Sequence, residues 1–206
     1  MVNFIIELSI IDSSMINGGV NMNLQQWFEK GLTTEQYLDN MKVHKEGMLG
    51  IYNGYKVTEQ HKEQLSKLPK NMKVIVIAED WCDDAMVNSG VLLRIAEQAN
   101  FDVRFILRDT NLELMDQYLT NGTARSIPIF IFMDEQFNEV AVWGPRAAKI
   151  QKHFEELKAT LPEKDAPDYK EKWLAVVELF VSKFTTDNET WQVIATSIIE
   201  KLSEIK

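Results

Sequence analysis

The sequence predicts an α/β fold in which a mixed sheet is built in the order β-α-β-α-β-β-α and carries helical extensions at both ends. Three observations lead to this prediction. Short apolar runs recur from Lys73 onward, each about the length of one strand. Helical periodicity fills the gaps between the first three runs, which is typical of strands joined by covering helices. The last two runs are separated only by a turn, which favours an antiparallel finish.

The predicted core spans residues 73–158. Its first strand, Val74-Ile75-Val76-Ile77-Ala78, is apolar throughout, as expected for a strand that is buried on both faces. Turn signals such as Asn121-Gly122, Asp134-Glu135 and Gly144-Pro145 separate the later elements. We predict strands at residues 74–78, 103–107, 129–132 and 140–143, and helices at residues 83–100, 112–119 and 146–157.

Helices are predicted on both sides of this core. In the N-terminal extension, residues 22–72, Thr33 and Gln36 have the spacing of a capping box, and Thr58 is placed to cap a later helix. Gly50 and Gly54 are interpreted as interruptions between these helices. The C-terminal part, residues 159–206, is predicted to contain two amphipathic helices at residues 169–184 and 189–205.

Residues 1–21 permit two interpretations, and the sequence leaves both open. They begin with an apolar stretch that has no Lys or Arg, so the charged start of a signal peptide is absent. One interpretation is a disordered N-terminal arm. In the other, Met22 is the true start, and Gly18-Gly19-Val20 is a translated ribosome-binding site.

Charge and cysteine content restrict the function classes. The formal net charge of −9 argues against binding to nucleic acid phosphates or to anionic membranes. One cysteine excludes an internal disulfide and suits a reducing compartment, so we expect a cytoplasmic protein. His44, His61 and His153 lie far apart, so no metal site is expected, and no motif indicates a cofactor.

The single cysteine lies in the motif E-D-W-C-D-D-A at residues 79–85. A strand followed by Trp81-Cys82 at a helix start, then Ser126-Ile127-Pro128 before a later strand and Gly144 after the last one, resembles the thioredoxin family. The resemblance covers roughly residues 73–158 and is closest to a bacterial branch whose motif reads W-C-x-D-C or W-C-x-D-A. It implies that the Ile127-Pro128 bond is cis, that Pro128 packs beside a reactive Cys82, and that Gly144 lies near the same site.

Three departures from the family pattern affect the chemistry. Ala85 stands where the second cysteine of the family motif would be. Asp83 and Asp84 replace the small residues or proline usual between the two cysteines. Val76 occupies the position of the buried aspartate that accepts a proton in thioredoxins. Since Ala85 supplies no resolving thiol, the sequence permits only a monothiol cycle, in which an external thiol releases the mixed disulfide formed by Cys82. The expected partner is therefore a protein or a low-molecular-weight thiol or disulfide.

Two opposing effects act on the predicted Cys82 thiol. A helix N-terminus stabilises the thiolate by roughly 0.3–1 kcal/mol, and by up to about 2 kcal/mol when partly buried. One carboxylate about 6 Å away costs the thiolate roughly 0.7 kcal/mol in water and about 3 kcal/mol at an effective dielectric constant near 20. Four carboxylates lie in the motif, on Glu79, Asp80, Asp83 and Asp84. We therefore expect a thiol pKa at or above the reference value of about 8.5.

Two arginines are candidates to neutralise the acidic motif. Arg125 lies shortly before Pro128, and Arg146 follows Gly144-Pro145, so each belongs to a loop that borders the cysteine in this fold. One interpretation is that both converge on the motif, and the other is that both are ordinary solvated side chains.

Two functions from different classes remain open. The first is a thiol-redox protein that performs monothiol disulfide exchange through Cys82. The second is a non-catalytic binding module that acts through a groove formed by Trp81 and Pro128. Trp81 is interpreted either as a residue that shields the thiol or contacts a partner, or as a half-buried aromatic at a strand end. Asp84 is expected at the cap or in the first turn of the helix.

Overall fold

A five-stranded mixed sheet lies at the centre of the computed structural model, which describes residues 22–205. Its strands are β1 (Leu32–Thr33), β2 (Lys73–Ala78), β3 (Asp102–Leu107), β4 (Ile129–Met133) and β5 (Glu139–Trp143). In the sheet they lie in the order β1-β3-β2-β4-β5. The strands β2 and β3 run parallel, whereas the pairs β1–β3, β2–β4 and β4–β5 are antiparallel, so the predicted mixed α/β sheet is confirmed.

Helices cover both faces of the sheet. In the described part of the chain they are α1 (Leu24–Lys30), α2 (Thr34–Asn40), α3 (Lys45–Gly54), α4 (Glu59–Ser66), α5 (Asp83–Ala99), α6 (Leu112–Met115), α7 (Ala148–Lys158), α8 (Tyr169–Thr186) and α9 (Asn188–Leu202). None of the helices among residues 22–205 is both long and apolar enough to cross a membrane.

The central strand β2 is buried on both faces, as its apolar sequence predicts. Val74 and Val76 belong to the larger core, which the sheet shares with α3, α5, α8 and α9. Ile75 and Ile77 belong to a second core on the opposite face, where α1 and α6 pack. Because successive side chains of a strand point to opposite faces, one apolar run serves both cores.

The helix α5 crosses the larger core and positions the cysteine motif. It packs closely on α3 at Gly90, where a Cβ atom would lie 3.0 Å from the Cβ of Ile51 and 3.0 Å from the Met48 carbonyl oxygen. The absence of a side chain at Gly90 therefore permits this close approach. The helix starts directly after Cys82 and ends at Asn100, which adopts a left-handed conformation with φ of 58°.

The extensions differ in detail from the sequence prediction. Residues 22–72 were predicted to contain only helices, but Leu32–Thr33 forms an edge strand that pairs with β3. Gly50 lies inside α3 and does not interrupt it, whereas Gly54 is the last residue of this helix. The helix α6 ends at Met115, earlier than the predicted residue 119. The two interpretations of residues 1–21 concern a segment outside the described residues.

The C-terminal helices complete the larger core. Phe180 and Phe184 of α8 are buried, and Ile194 and Ile198 of α9 are fully buried. A hydrogen bond of 3.0 Å from the Trp143 indole N–H to the Ser197 hydroxyl joins β5 to α9. Both predicted amphipathic helices thus contribute apolar side chains to the larger core.

Candidate functional site

Cys82 occupies the N-cap position of α5, directly beyond the carboxyl end of β2. Its backbone has extended geometry, with φ of −94°, and its carbonyl accepts the first intrahelical hydrogen bond from Met86 at 2.9 Å. The side chain is half-buried and packs against both hydrophobic cores. The sulfur therefore lies at a helix end where backbone N–H groups lack intrahelical acceptors.

The loop before β4 lies against the cysteine. The Ile127-Pro128 peptide bond is cis, as the resemblance implied. The Cys82 thiol donates to the Ile127 carbonyl oxygen across a sulfur–oxygen distance of 3.7 Å. The structure thus brings together Cys82 and the Ile127-Pro128 step, although 45 residues separate Cys82 from Ile127 in the sequence.

Gly144 packs its backbone directly on this loop. Its φ is +137°, a conformation that L side chains rarely adopt, and a Cβ atom there would lie 2.3 Å from the Pro128 carbonyl oxygen. Only glycine satisfies both constraints without displacing the loop. The following Gly144-Pro145 bond is also cis, which the sequence analysis did not predict.

The pKa of the Cys82 thiol is raised in the folded protein. Burial is the largest cause, and the carboxylates of Asp84 and Asp83 add to it. The backbone N–H groups of Ala85 and Asp84 act in the opposite direction because they stabilise the thiolate, but they do not prevail. The direction agrees with the sequence prediction, but the largest cause is burial of the thiol and not the carboxylates.

Arg146 neutralises one carboxylate of the motif. Its guanidinium binds the Asp84 carboxylate through two hydrogen bonds, from Nε to Oδ1 at 2.7 Å and from Nη2 to Oδ2 at 2.5 Å. The same guanidinium lies 4.5 Å from the Phe154 ring centre and 5.5 Å from that of Phe180. Asp84 occupies the first turn of α5, and burial still raises its pKa although Arg146 lowers it. For this arginine the contacts therefore favour the first interpretation, convergence on the motif.

Arg125 does not reach the motif, so for this arginine the contacts favour the second interpretation, an ordinary surface side chain. Its Nε and Nη2 donate to the two carboxylate oxygens of Asp116, at 2.6 Å and 2.8 Å. Asp116 lies directly after α6 and Arg125 directly after the Thr120–Ala124 bridge, so the closed turn between them brings the two side chains together. The Arg125 side chain is thus bound by a nearby carboxylate and does not extend to Cys82.

Trp81 lies on the surface beside the thiol, with 47% of its area exposed. The Arg108 guanidinium lies 4.9 Å from its ring centre, and the indole N–H points to the Asp109 carboxylate at a long 3.4 Å. These contacts orient the ring but leave much of it open to a partner.

Glu79 has a structural role that the sequence did not predict. It is only 9% exposed, and one carboxylate oxygen accepts the backbone N–H of Asp109 at 2.7 Å. Burial raises the pKa of Glu79.

Val76, which the resemblance places at the position of the family's buried acid, is fully buried and lies in the larger core.

The N-terminal extension also reaches the motif, which sequence reasoning missed. The Asp80 carboxylate accepts the backbone N–H groups of Lys42 and Val43, at 2.6 Å and 3.2 Å. His44, which has a positive φ of 60°, faces Asp83 with 3.4 Å between Nε2 and Oδ1. No signal in the sequence links positions so far apart.

Within residues 22–205, no group of three or more His, Cys, Asp or Glu residues is arranged to hold a metal ion.

Together, the sheet order, the cysteine at a helix start and the adjoining cis-proline loop define a protein of the thioredoxin-like class. A family model described as thioredoxin matches residues 31–158, which is more than half of the chain, and the chain belongs to this family. The match begins before the predicted core limit at residue 73 and includes the edge strand β1.

Two solved structures share the fold. One is a crystal structure of an HIV epitope-scaffold, with 13% sequence identity and a TM-score of 0.65; the alignment covers 90% of this chain and 100% of that chain. The other is a protein of unknown function from Pseudomonas aeruginosa, with 14% identity and a TM-score of 0.59, covering 86% and 97% of the two chains. No curated protein matches the sequence.

Proposed function

We propose that this protein performs monothiol disulfide exchange through Cys82 and depends on an external thiol to complete the cycle. The observation that carries the proposal is the position of the sulfur: it lies at the start of α5, near the N–H groups of Asp84 and Ala85, and 3.7 Å from the Ile127 carbonyl oxygen. A thiolate formed there is stabilised by the helix end and lies beside the cis-Pro128 loop.

The proposed cycle has two exchange steps. The Cys82 thiolate attacks one sulfur of a disulfide, so that a Cys82–S–S–R bond forms and the other half leaves as a thiolate, which takes a proton from water. An external thiolate then attacks the mixed disulfide and regenerates Cys82. The chain contains one cysteine, and Ala85 is 2% exposed at the position of a resolving thiol, so no internal second step exists.

The raised pKa of Cys82 makes the first step slow at neutral pH, because the thiolate is the nucleophile and only a small fraction of the thiol is ionised. The single cysteine suits a reducing compartment, and we propose the bacterial cytoplasm, where low-molecular-weight thiols are available for the second step.

Mass spectrometry of the purified protein with the neutral reagent bis(2-hydroxyethyl) disulfide tests this proposal. We expect a single mixed disulfide on Cys82, which glutathione removes, and no adduct on Cys82→Ser. As a control, the same reagent is applied to urea-unfolded protein. An adduct that forms only on the unfolded chain would show that the native thiol is inert and would overturn the proposed exchange.

A non-catalytic binding module is the second candidate. It is favoured by the raised thiol pKa together with the exposed ring of Trp81, which precedes Cys82 in the sequence. The two candidates differ in their dependence on sulfur. A binding module retains partner affinity in Cys82→Ser and loses it in Trp81→Ala, whereas the exchange reaction is abolished by Cys82→Ser alone.

A further inference from the structure

A groove lies between the N-terminal extension and the core, on the side of the sheet that carries the larger core. It is bounded by α2 and α3 of the extension and by α5 and the start of β3. The two extension helices are held by different neighbours. Tyr37 of α2 stacks on Phe105 of β3 with 4.1 Å between ring centres, whereas α3 packs on α5 at Gly90. The groove has a volume of about 610 Å³, and small-molecule sites span roughly 300–1,000 Å³.

Apolar side chains form most of the lining of this groove. Half-buried leucines from three helices line it, namely Leu38 of α2, Leu49 of α3 and Leu93 of α5. Buried members of the larger core, among them Met48 and Val103, line it as well. Because the leucines keep part of their surface in water, a ligand with an apolar body gains free energy by covering them. The volume and the lining therefore fit the body of a small organic molecule.

The charged side chains at the groove carry more negative than positive charge. Four carboxylates and two cationic groups line it. Three of the four carboxylates are bound by a cation: Asp39 by Lys45 at 3.3 Å, Glu97 by Arg94 at 2.5 Å, and Asp102 by Arg104. The two cations of the lining, Lys45 and Arg104, are thus already paired, so the groove offers no unpaired cation to an anionic ligand.

Glu35 is the fourth carboxylate, and it has no ion-pair partner among residues 22–205. It lies in the first turn of α2, and Leu38 follows three residues later. Residues three apart are neighbours on one face of a helix. An unpaired acceptor therefore stands beside the apolar lining, where it can fix the orientation of a ligand.

We propose that this groove binds a small aromatic amine, with its ring against Leu38, Leu49 and Leu93 and its ammonium group donating to the Glu35 carboxylate. An aromatic body brings a large apolar area with few rotatable bonds to immobilise. A positive group is attracted by the unpaired carboxylate, whereas a negative group is repelled by the net charge of the lining. None of the described residues that line the groove belongs to the cysteine motif, so the proposal does not depend on exchange at Cys82.

Three indoles with the same two-carbon side chain test the site. Tryptamine is cationic, tryptophol is neutral and indole-3-propionate is anionic. Each is titrated into the ¹⁵N-labelled full-length protein at low ionic strength, and the Kd is obtained from the shifts of the amide resonances. We expect the largest shifts at Leu38, Leu49 and Leu93. Tryptamine should bind about fivefold more tightly than tryptophol, which corresponds to one ion pair at ~4 Å in a water-like dielectric, and about tenfold or more tightly than indole-3-propionate.

Glu35→Gln tests the role of the carboxylate. This variant should raise the Kd of tryptamine about fivefold and leave that of tryptophol unchanged, since the apolar lining remains. Glu113→Gln is the matched control, because Glu113 is also an exposed acid in the first turn of a helix. That helix, α6, packs on the opposite face of the sheet, so the control should change neither Kd.

Three outcomes would overturn the proposal. The first is an absence of shifts at the groove, or shifts confined to the surroundings of Trp81. The second is equal affinity for the three indoles, which would remove the basis for a cationic ligand. The third is an equal loss of tryptamine affinity in Glu35→Gln and Glu113→Gln, which would attribute the preference to the net charge of the molecule. None of these results bears on the mixed disulfide at Cys82, so the two proposals stand or fall separately.

Discussion

The Asp84–Arg146 ion pair should make a large contribution to the stability of the site, and Arg146→Met tests this. The two side chains are only 14% and 19% exposed. Breaking such a buried pair by removing one partner typically costs about 3–5 kcal/mol because the remaining charge stays buried. We expect roughly 3 kcal/mol, the lower end, since neither group is fully buried and methionine retains part of the packing against Phe154 and Phe180.

The cost should depend on pH in a direction that follows from Asp84. Burial raises the pKa of this carboxyl, and Arg146 opposes the rise. Without Arg146 the pKa rises further, so the folded variant binds a proton that the unfolded chain, with a pKa of about 3.9, does not bind. Where the folded state binds more protons, stability falls as pH rises. The destabilisation by Arg146→Met is therefore largest at neutral pH and decreases as the pH falls through the raised pKa of Asp84.

Urea unfolding followed by tryptophan fluorescence measures both effects, at neutral pH and near pH 5. Asp84→Asn combined with Arg146→Met should recover about half of the loss or more, because no buried charge remains. Arg125→Met is the matched control: its pair with Asp116 is nearly half-exposed on both sides, so we expect a loss of about 1 kcal/mol or less. The reasoning is refuted if Arg146→Met costs no more than this control, or the same at both pH values.

Three further predictions concern the thiol and the core. Ala85→Cys should give the protein dithiol-dependent insulin reduction, since it adds the missing resolving thiol; unchanged turbidity kinetics would mean that the deficit lies elsewhere. The alkylation rate of Cys82 as a function of pH should give a pKa above that of an unperturbed cysteine, which Arg125→Ala leaves unchanged, and a lowered pKa would contradict this account. Burial lowers the pKa of His61, so the unfolded chain binds more protons at this residue and stability should fall as the pH drops below about 6.5; His61→Gln should lessen this dependence in urea titrations, and an unchanged dependence would contradict it.

The centre of the fold was predictable because two of its strands, β2 and β4, are buried on both faces. Such strands are continuous apolar runs in the sequence, and the runs at β2 and β4 have no polar face that could be exposed to solvent. The cysteine and the Ile127-Pro128 step were predictable for a different reason, because the resemblance fixes their order along the chain. The edge strand Leu32–Thr33 was not predictable, since two residues show no periodicity.

The partners of the charged residues could not be read from the sequence. Arg125 and Arg146 both lie in loops beside the cysteine, and their sequence positions are equally compatible with pairing to the motif. The difference arises from local geometry: Asp116 stands within reach of Arg125, whereas the aromatic rings of Phe154 and Phe180 hold Arg146 over α5. Side-chain reach over a few ångströms decides such contacts, and periodicity carries no information about it.

The contacts of the acidic motif join the extensions to the site. Asp80 is held by the backbone of residues 42–43, and Asp84 is held by Arg146, which in turn lies against Phe180 of α8. Partly buried carboxylates are stable only when hydrogen-bond donors or cations reach them. The N–H groups that bind Asp80, and the Phe180 ring that packs on Arg146, lie outside residues 73–158. The two extensions therefore do more than cover the sheet: they supply part of the surroundings that allow an unusually acidic sequence to surround a thiol.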